Sequence, residues 1–320
     1  MTDKKKIVQN FKEKNILVVG DIVLDRYIFG EVKRISPEAP IPIIEVKKES
    51  FVLGGAANAA NNITSLGANA ILIGTIGNDI FGKITKRLLK SSKIESKFLV
   101  ETTTKHTFLK ERIIAQNQQL LRIDREDASY ISTHQEKEIQ ENIKDQIQKV
   151  DAVIISDYAK GTLSKNLIQN IIHLSNKNKK IAVVDPRLKH TQFYKNATII
   201  KPNQKEALTM AGLKEEDSLI TAGKILVKKL NSNIIITKGQ EGMSLFSIDK
   251  TIMHIPTYAR QVYDVSGAGD TATAALTLAL ASGASLKDSM IISNHASGIV
   301  VNKFGTATVT QKELLDNFSE

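Results

Sequence analysis

The 320-residue chain has no cysteine and no tryptophan. Without cysteine there is no disulfide, no thiolate-bound zinc, no iron–sulfur cluster and no thiol nucleophile, and the composition suits a reducing cytoplasm. Proline is sparse: there are six, and Pro37, Pro40 and Pro42 crowd into one stretch. No apolar run reaches the roughly 18 residues a membrane-crossing helix needs. The opening residues MTDKKKIVQNFKEKN hold no apolar segment of the secretory kind. A cytoplasmic protein with no membrane partner is therefore expected. Aromatic residues are only 5% of the chain, so platforms for stacking bases are few. Acidic residues are in deficit: 44 Lys and Arg against 34 Asp and Glu leave a net charge of +10. Only eight of those cations are arginine, and the densest runs, Lys4–Lys6 and 177–180, lie at a terminus and between two elements. The excess reads as a lysine-rich surface, part of which suits anionic small molecules, and no nucleic-acid partner is expected.

What is present is an ordinary globular balance, 42% hydrophobic and 24% charged. The length suits one large α/β domain with a small appendage. β-Branched runs at Ile16–Val19, Ala70–Gly74, Ala152–Ser156, Ile181–Asp185, Thr198–Ile200 and Ile234–Thr237 read as strands. They show little alternation, as strands covered on both faces do. Helical patterns fall at 55–66, 80–89, 134–148, 164–176, 203–211, 218–230, 268–282 and 286–301. This order predicts a mostly parallel central sheet with helices on both sides. Two stretches break the rhythm, about 25–52 and 105–124, the second with a turn near Asn117. Neither has a crossover helix, and together they predict a small β-sheet lid over a site at the strand ends. No repeat or long linker appears, so residues 1–320 read as one domain with two lid insertions.

The sharpest local signal is Asp264-Val-Ser-Gly-Ala-Gly-Asp270 ahead of a small-residue helix. Small residues let backbone N–H groups approach an anion, and the helix N-terminus adds roughly half a positive charge. Asp270 there is either a base that takes a proton from a hydroxyl attacking a phosphate, or simply a helix cap. The stretch also fits Gly267-x-Gly269-x-x-Ala272, but a dinucleotide fingerprint should open its βαβ unit, and an acid in the turn would repel pyrophosphate. Gly77-x4-Gly82-Lys83 mimics a P-loop, yet Ile84 stands where a magnesium-binding Ser or Thr is required. It reads as an ordinary helix start. A third loop, Gly54-Gly55-Ala-Ala-Asn58-Ala-Ala60, leads into a helix. Tight packing explains its glycines and alanines but not Asn58, which reads as a ligand for a polyhydroxylated molecule. The six histidines have no metal-ligand spacing.

Taken together these loops resemble the two signatures of the PfkB/ribokinase family of sugar kinases. The first runs from Gly54 through Gly67 to Gly77, and the second is Asp264–Asp270. Lys201-Pro-Asn203-Gln-Lys-Glu206 and Thr237-Lys-Gly239-Gln-Glu-Gly242 lie between them, and the likeness spans nearly the whole chain. Gly20-Asp21-Ile-Val-Leu-Asp25-Arg26-Tyr27, Arg34-Ile-Ser-Pro-Glu-Ala-Pro40, Asn117-Gln-Gln-Leu-Leu-Arg122 and Ser156-Asp157-Tyr-Ala-Lys160-Gly161 resemble one branch. That branch is the D-glycero-β-D-manno-heptose 7-phosphate kinases of lipopolysaccharide-core precursor synthesis. Its members are often fused to a C-terminal nucleotidyltransferase that makes ADP-heptose. A chain ending at Glu320 resembles the kinase without that domain, and a separate nucleotidyltransferase would follow it in the pathway.

The resemblance implies a ribokinase-like three-layer α/β/α fold and ATP-dependent phosphorylation of the sugar C1 hydroxyl. Asp270 would be the base, and the N–H groups of Gly267, Ala268 and Gly269 would stabilise the transferring phosphoryl. Mg²⁺ would be reached through water from Glu206 and Asn203. Asp264 and Ser266 would help bind a monovalent cation such as K⁺. Thr237, Gly239 and Gly242 would line the nucleotide, with adenine near Asn294. On the sugar side, Asp21 and Asp25 stand at the end of the first strand, beside Gly54, Gly55 and Asn58; Asp21 is alternatively a turn former. Arg112 and Lys160 are the expected cations for the 7-phosphate, with Arg122 and Arg34 in reserve, and each is alternatively a surface ion-pair partner. Asp157 would hold Lys160 or contact the sugar. A homodimer through the lid is expected by analogy. Within the fold a kinase for another sugar or nucleoside, such as ribose or fructose, is the alternative. A non-catalytic sugar or nucleotide sensor is the more distant one.

Overall fold

The first strand shows why this chain builds a covered sheet. Ile16 and Val18 point into one hydrophobic core, Leu17 and Val19 into another, and all four are fully buried. A strand buried on both faces needs helices on both sides. The computed structural model describes residues 4–116, 118–258, 263–303 and 305–318, so the expected turn at Asn117 lies outside it.

The elements begin with α1 (Lys4–Gln9), β1 (Asn15–Gly20), β2 (Ile22–Ile35), β3 (Pro42–Gly55), α2 (Ala56–Ser65), β4 (Asn69–Gly77) and α3 (Ile80–Ser91). Next come β5 (Leu99–Thr102), β6 (Phe108–Ala115), β7 (Gln118–Arg125), α4 (Thr133–Gln146), β8 (Ala152–Ser156), α5 (Lys165–Lys177) and β9 (Ile181–Asp185). The chain continues through β10 (Ile199–Ile200), α6 (Gln204–Ala211), α7 (Leu219–Leu230), β11 (Asn233–Thr237), β12 (Met243–Phe246) and β13 (Ile252–Ile255). It closes with α8 (Ala268–Ala281), α9 (Leu286–Val300) and α10 (Gln311–Asn317).

Nine strands form the main sheet in the order β13-β12-β11-β10-β9-β8-β1-β4-β5. Strands β11 through β5 run parallel, and β12 and β13 add an antiparallel edge. One core packs α2, α8, α9 and α10 against the sheet, and the opposite core packs α4 to α7. This is the three-layer architecture. Capping side chains set the helix starts: Ser132, Asn203, Ser218, Ser285 and Thr310 each accept the N–H three residues on. Asp79 does the same for Gly82, so the P-loop look-alike is a capped helix start. No helix among the described residues is long and apolar enough to cross a membrane.

The second sheet has the order β3-β2-β6-β7. Its strands overlap the two stretches that break the helical rhythm. It is mixed: β2 pairs with β3 antiparallel and with β6 parallel. Because β2 starts one residue beyond Asp21, and β3 ends directly before α2, the inner ends of both strands stand over the main sheet's C-terminal edge. β7 is exposed along its length.

Candidate active site

The parallel strands bring a set of polar residues to one edge. Asp21 follows β1, Asp157 follows β8, Asp185 ends β9, Lys201 follows β10 and Thr237 ends β11. Facing them is the N-terminus of α8. Gly267 is its N-cap with φ 78°, a left-handed conformation that favours glycine. No side chain caps this helix, so the capping alternative for Asp270 does not hold. The turn corrects one expected donor. Ala268 N–H is bonded to the Val265 carbonyl at 3.2 Å. The N–H groups of Gly267, Gly269 and Asp270 have no partner among the described residues, and nothing lies within 4 Å of where a Gly269 Cβ would sit.

Asp270 lies in the first turn of α8, 6% exposed. Its Oδ2 accepts from Asn58 Nδ2 at 2.7 Å and its Oδ1 from the Tyr158 hydroxyl at 2.8 Å. Burial, and then the Asp185 charge, push its pKa up to about 6, while the Asn58 and Tyr158 hydrogen bonds and Lys201 pull it down. Asn58 is therefore not a free sugar ligand. It is 1% exposed, its amide is committed to Asp270, and Asn62 braces its Oδ1 at 3.3 Å.

Two expected sugar ligands are corrected in the same way. Asp21 is 1% exposed and accepts the backbone N–H groups of Tyr158, Lys160 and Thr162 at 2.9, 3.1 and 3.0 Å. Burial, and then Asp157, raise its pKa. Asp157 does not hold Lys160, which pairs with Glu126. Its buried carboxylate accepts from Ala159 N–H and the Tyr194 hydroxyl and lies 2.7 Å from His190 Nδ1. Both aspartates hold the loop after β8. Sequence reasoning cannot tell such a carboxylate from a ligand-facing one, because both sit at strand ends. Lys160 pairs with Glu126 and lies over the Phe108 ring.

The lid carries the other polar face. Asp25 is buried and pairs with Arg112. Gly54 lies against it, where a Cβ would collide with Asp25 Oδ2. Gly55 ends β3, and its neighbour Ala56 donates to the Asp21 carbonyl at 2.9 Å. Register puts Asp25, Tyr27, Lys110, Arg112, Arg122 and Asp124 on one face of the lid. Arg112 stacks over Tyr27 and its charge reaches Asp264, so this face looks toward the α8 end. Lys110 was missed by sequence reasoning. Arg34 lies at the outer end of β2, paired with Ile43, away from Asp25.

Two adjoining cavities complete the site. One, of about 250 Å³, is mostly apolar and is lined by Thr237, Gly239, Gly242, Gly269 and Asn294. Asn294 donates to the Pro256 carbonyl at 2.7 Å. The other, of about 180 Å³, is polar and shares Thr237 and Gly269 with it. Tyr158, Asp185, Arg187, Lys201, Glu206 and Asp270 line it, as do Asn203 and Gly267. Asn203 and Glu206 form a capping box on α6, and Glu206 also pairs with Arg187 at 3.1 Å. Asp264 accepts from Ser266 and Gly305 N–H groups at 2.8 and 2.9 Å, folding the loop before α8. Among the described residues no three His, Asp or Glu side chains group to hold a metal by themselves. Glu206 and Asn203 offer only hard oxygen donors, which fits a magnesium ion that keeps most of its waters. Tyr158, Asp185, Arg187 and Lys201 were also missed; Tyr158 and Lys201 lie inside the resemblance motifs, and Asp185 ends a predicted strand.

A buried carboxylate beside unpartnered N–H groups, with a mostly apolar cavity alongside, suits phosphoryl transfer. The family description "pfkB family carbohydrate kinase" matches residues 13–313, and the chain belongs to that family. It is a carbohydrate kinase. It is 41% identical over 308 residues to the bifunctional protein HldE of Aliarcobacter butzleri (strain RM4018), covering 95% of this chain and 64% of that one. It is 43% identical over 310 residues to bifunctional HldE of Desulfatibacillum aliphaticivorans, covering 96% and 63%. The chain thus spans a little under two thirds of these curated relatives. Its fold is similar to Arabidopsis thaliana ribokinase complexed with ribose and ATP, with TM-score 0.76, 18% identity and coverage of 96% and 99%. It is also similar to Escherichia coli phosphofructokinase-2 in complex with potassium, with TM-score 0.76, 18% identity and coverage of 96% and 98%.

Proposed function

We propose that this chain transfers the γ-phosphoryl group of ATP to the C1 hydroxyl of D-glycero-β-D-manno-heptose 7-phosphate, giving the 1,7-bisphosphate for ADP-heptose synthesis. The observation that carries this reading is the 41% identity to a bifunctional HldE over 95% of the chain, lid included. The cations on the inner lid face support it, because a sugar phosphate needs them and ribose or fructose does not.

In this reading Asp270 takes the proton from the attacking C1 oxygen as that oxygen bonds to phosphorus and ADP leaves. The carboxylate is buried and held by two donors, so it needs no reorganisation before reaction. The N–H groups of Gly267 and Gly269 stabilise charge on the transferring group. Such donors are worth about 3–4 kcal/mol each. Thr237, Gly239, Gly242 and Asn294 hold the nucleotide. Glu206 and Asn203 would hold Mg²⁺ through water, and it would neutralise phosphate charge when bound. Asp264 and Ser266 would support a monovalent cation such as K⁺. Arg112 and Lys110 take the 7-phosphate, and Asp25 accepts from a sugar hydroxyl. The lid excludes water from the phosphoryl group. Exposed Ile35, Ile41, Leu121 and Ile123 support pairing of lids between two copies. The reaction belongs in the cytoplasm with its ATP, and a nucleotidyltransferase would consume the product.

The test is ADP release across both heptose 7-phosphate epimers, free heptose, ribose, fructose and fructose 6-phosphate. Heptose 7-phosphate is expected to give the highest kcat/KM. Efficient use of free ribose or fructose with none of heptose 7-phosphate would sink the reading.

A further inference from the structure

Tyr158 is not a residue that the sequence marks for chemistry, yet its hydroxyl is one of the two donors to the Asp270 carboxylate. The donors come from opposite sides. Asn58 stands on α2, while Tyr158 stands on the loop after β8. That loop is fixed with unusual investment. Asp21 takes three of its N–H groups and Asp157 takes a fourth, and both carboxylates are buried. Ala159, next to Tyr158, is held at φ 54°, a conformation that costs a non-glycine residue energy. Two desolvated acids and one strained residue thus fix the place of a single side chain.

The ring is fixed as well. The Arg187 guanidinium lies 4.6 Å from the centre of the Tyr158 ring and pairs with Glu206 across the polar cavity. Tyr158 lines that cavity beside Asp270. Burial and the Asp270 and Asp185 charges push the phenol well above its ordinary pKa, so it remains a donor. A permanent donor on Oδ1 fixes the carboxylate plane. It also favours the charged form, since donation to a carboxylate stabilises the anion.

We propose that Tyr158 is the positioning residue of the base: carried on a loop that Asp21 and Asp157 fix, its hydroxyl holds Asp270 in its reactive orientation and ionised form. This rests on Asp270 being the base of the proposed reaction. The charged and titratable groups around Asp270 are Asp185 on β9, Lys201 after β10, Arg187 after β9, Glu206 on α6 and Tyr158 itself; α2 presents only the neutral Asn58.

Tyr158→Phe keeps the ring and the Arg187 stack and removes only the oxygen. Two arms test it. The first needs no substrate: melting temperatures of the full chain and of Asp270→Asn are compared from pH 4 to 9, with and without Tyr158→Phe. The difference between the two chains changes between the unfolded and folded pKa values of Asp270, so the pH at which it levels off reports the folded ionisation, and Tyr158→Phe is expected to move that upper break up by about 0.5–1 unit. The second arm is kinetic, on the best substrate of the sugar panel. The acid limb of kcat/KM is expected to move up by the same amount and kcat to fall about 10-fold or more, with ATP binding within twofold. An unmoved upper break and a superimposable pH profile would reduce Tyr158 to packing and overturn the proposal. Failure of the wild-type chain on heptose 7-phosphate would overturn the substrate reading and leave the first arm to decide this one. Should Tyr158→Phe not fold, 3,5-difluorotyrosine at position 158, which keeps the ring, the hydroxyl and every neighbouring charge but makes a stronger donor, is expected to move the break down; no shift would overturn the proposal.

Discussion

Asn58 Nδ2 donates to Asp270 Oδ2 at 2.7 Å across 212 positions of sequence. The bond ties the N-terminal turn of α2 to that of α8, so the two glycine-rich segments meet at one carboxylate. Asn62 extends the tie, receiving the Thr271 hydroxyl at 2.7 Å. Asn58 is thus a brace for the Asp270 carboxylate. An amide suits the task because it donates without adding charge in a place where Asp185 already opposes ionisation.

Asp270→Asn is expected to lower kcat by about 10²–10⁴-fold, the usual contribution of a general base. ATP affinity should stay within twofold, because the nucleotide cavity is lined by other residues. Single-turnover phosphoryl transfer together with calorimetric ATP titration checks both. Unchanged turnover would remove Asp270 from its role.

The same carboxylate makes stability depend on pH. Its ordinary pKa is 3.8, and in the folded chain it is about 6. Between these values the native state binds more protons than the unfolded state, so Asp270 subtracts stability as pH rises through that window. Above pH 6 the cost is constant, at most about 3 kcal/mol, since one pKa unit is 1.36 kcal/mol. Asp270→Asn should therefore melt higher than the wild type at pH 8, with the gap closing toward pH 4. A gap that widens toward acid would contradict the buried-carboxylate account.

Catalysis should follow the opposite branch of that titration. The base works only when ionised, so kcat/KM is expected to fall tenfold per unit below about pH 6 and to be level just above it. Initial rates in a constant-ionic-strength buffer series measure this. An acid limb near pH 4 would mean that the working base is an exposed carboxylate.

Lys110 tests the sugar end of the site. Burial lowers its pKa, while Asp25 and Asp124 pull it up. A phosphate dianion beside it would complete its partners. Lys110→Met is expected to raise KM for the sugar phosphate about 10–100-fold, the worth of a hydrogen bond to a charged group. KM for ATP should not move. Equal loss on both substrates would mean that the lid is misfolded.

The main sheet was legible because its signals are local and repeated. Runs such as Ile16–Val19 and Ile234–Ile236 admit one reading, and Ser132, Asn203, Ser218 and Ser285 mark helix starts within a residue. The strands β12 and β13 were not legible, since four residues of edge hairpin leave no periodicity to read. At the site the glycine turns and Asp270 stood out, because small residues followed by an acid are locally costly without a purpose. Asp21 and Asp157 stood out equally and were misread as ligand-facing. What separates them from Asp25 is which backbone N–H groups pass nearby, and a loop's path is a tertiary property. Tyr158 and Arg187 were illegible for the same reason: their roles exist only across the cavity.

Asp157 offers a measurable consequence of that hidden loop. Its carboxylate satisfies the Ala159 N–H, the Tyr194 hydroxyl and His190 Nδ1, each at 2.7 Å. His190 and Tyr194 are buried, so no water replaces the lost oxygen atoms. Asp157→Ala leaves up to two buried side chains and the half-buried Ala159 N–H unsatisfied, at about 1–3 kcal/mol each. A loss of at least about 3 kcal/mol is expected in urea unfolding. Asp157→Asn keeps the shape and one acceptor oxygen, so its loss should be smaller. Both should lower kcat more than they raise KM for ATP, because the loop carries Tyr158 to the base and not to the nucleotide cavity. A destabilised Asp157→Ala protein with wild-type kcat at low temperature would show that the loop supports the fold alone.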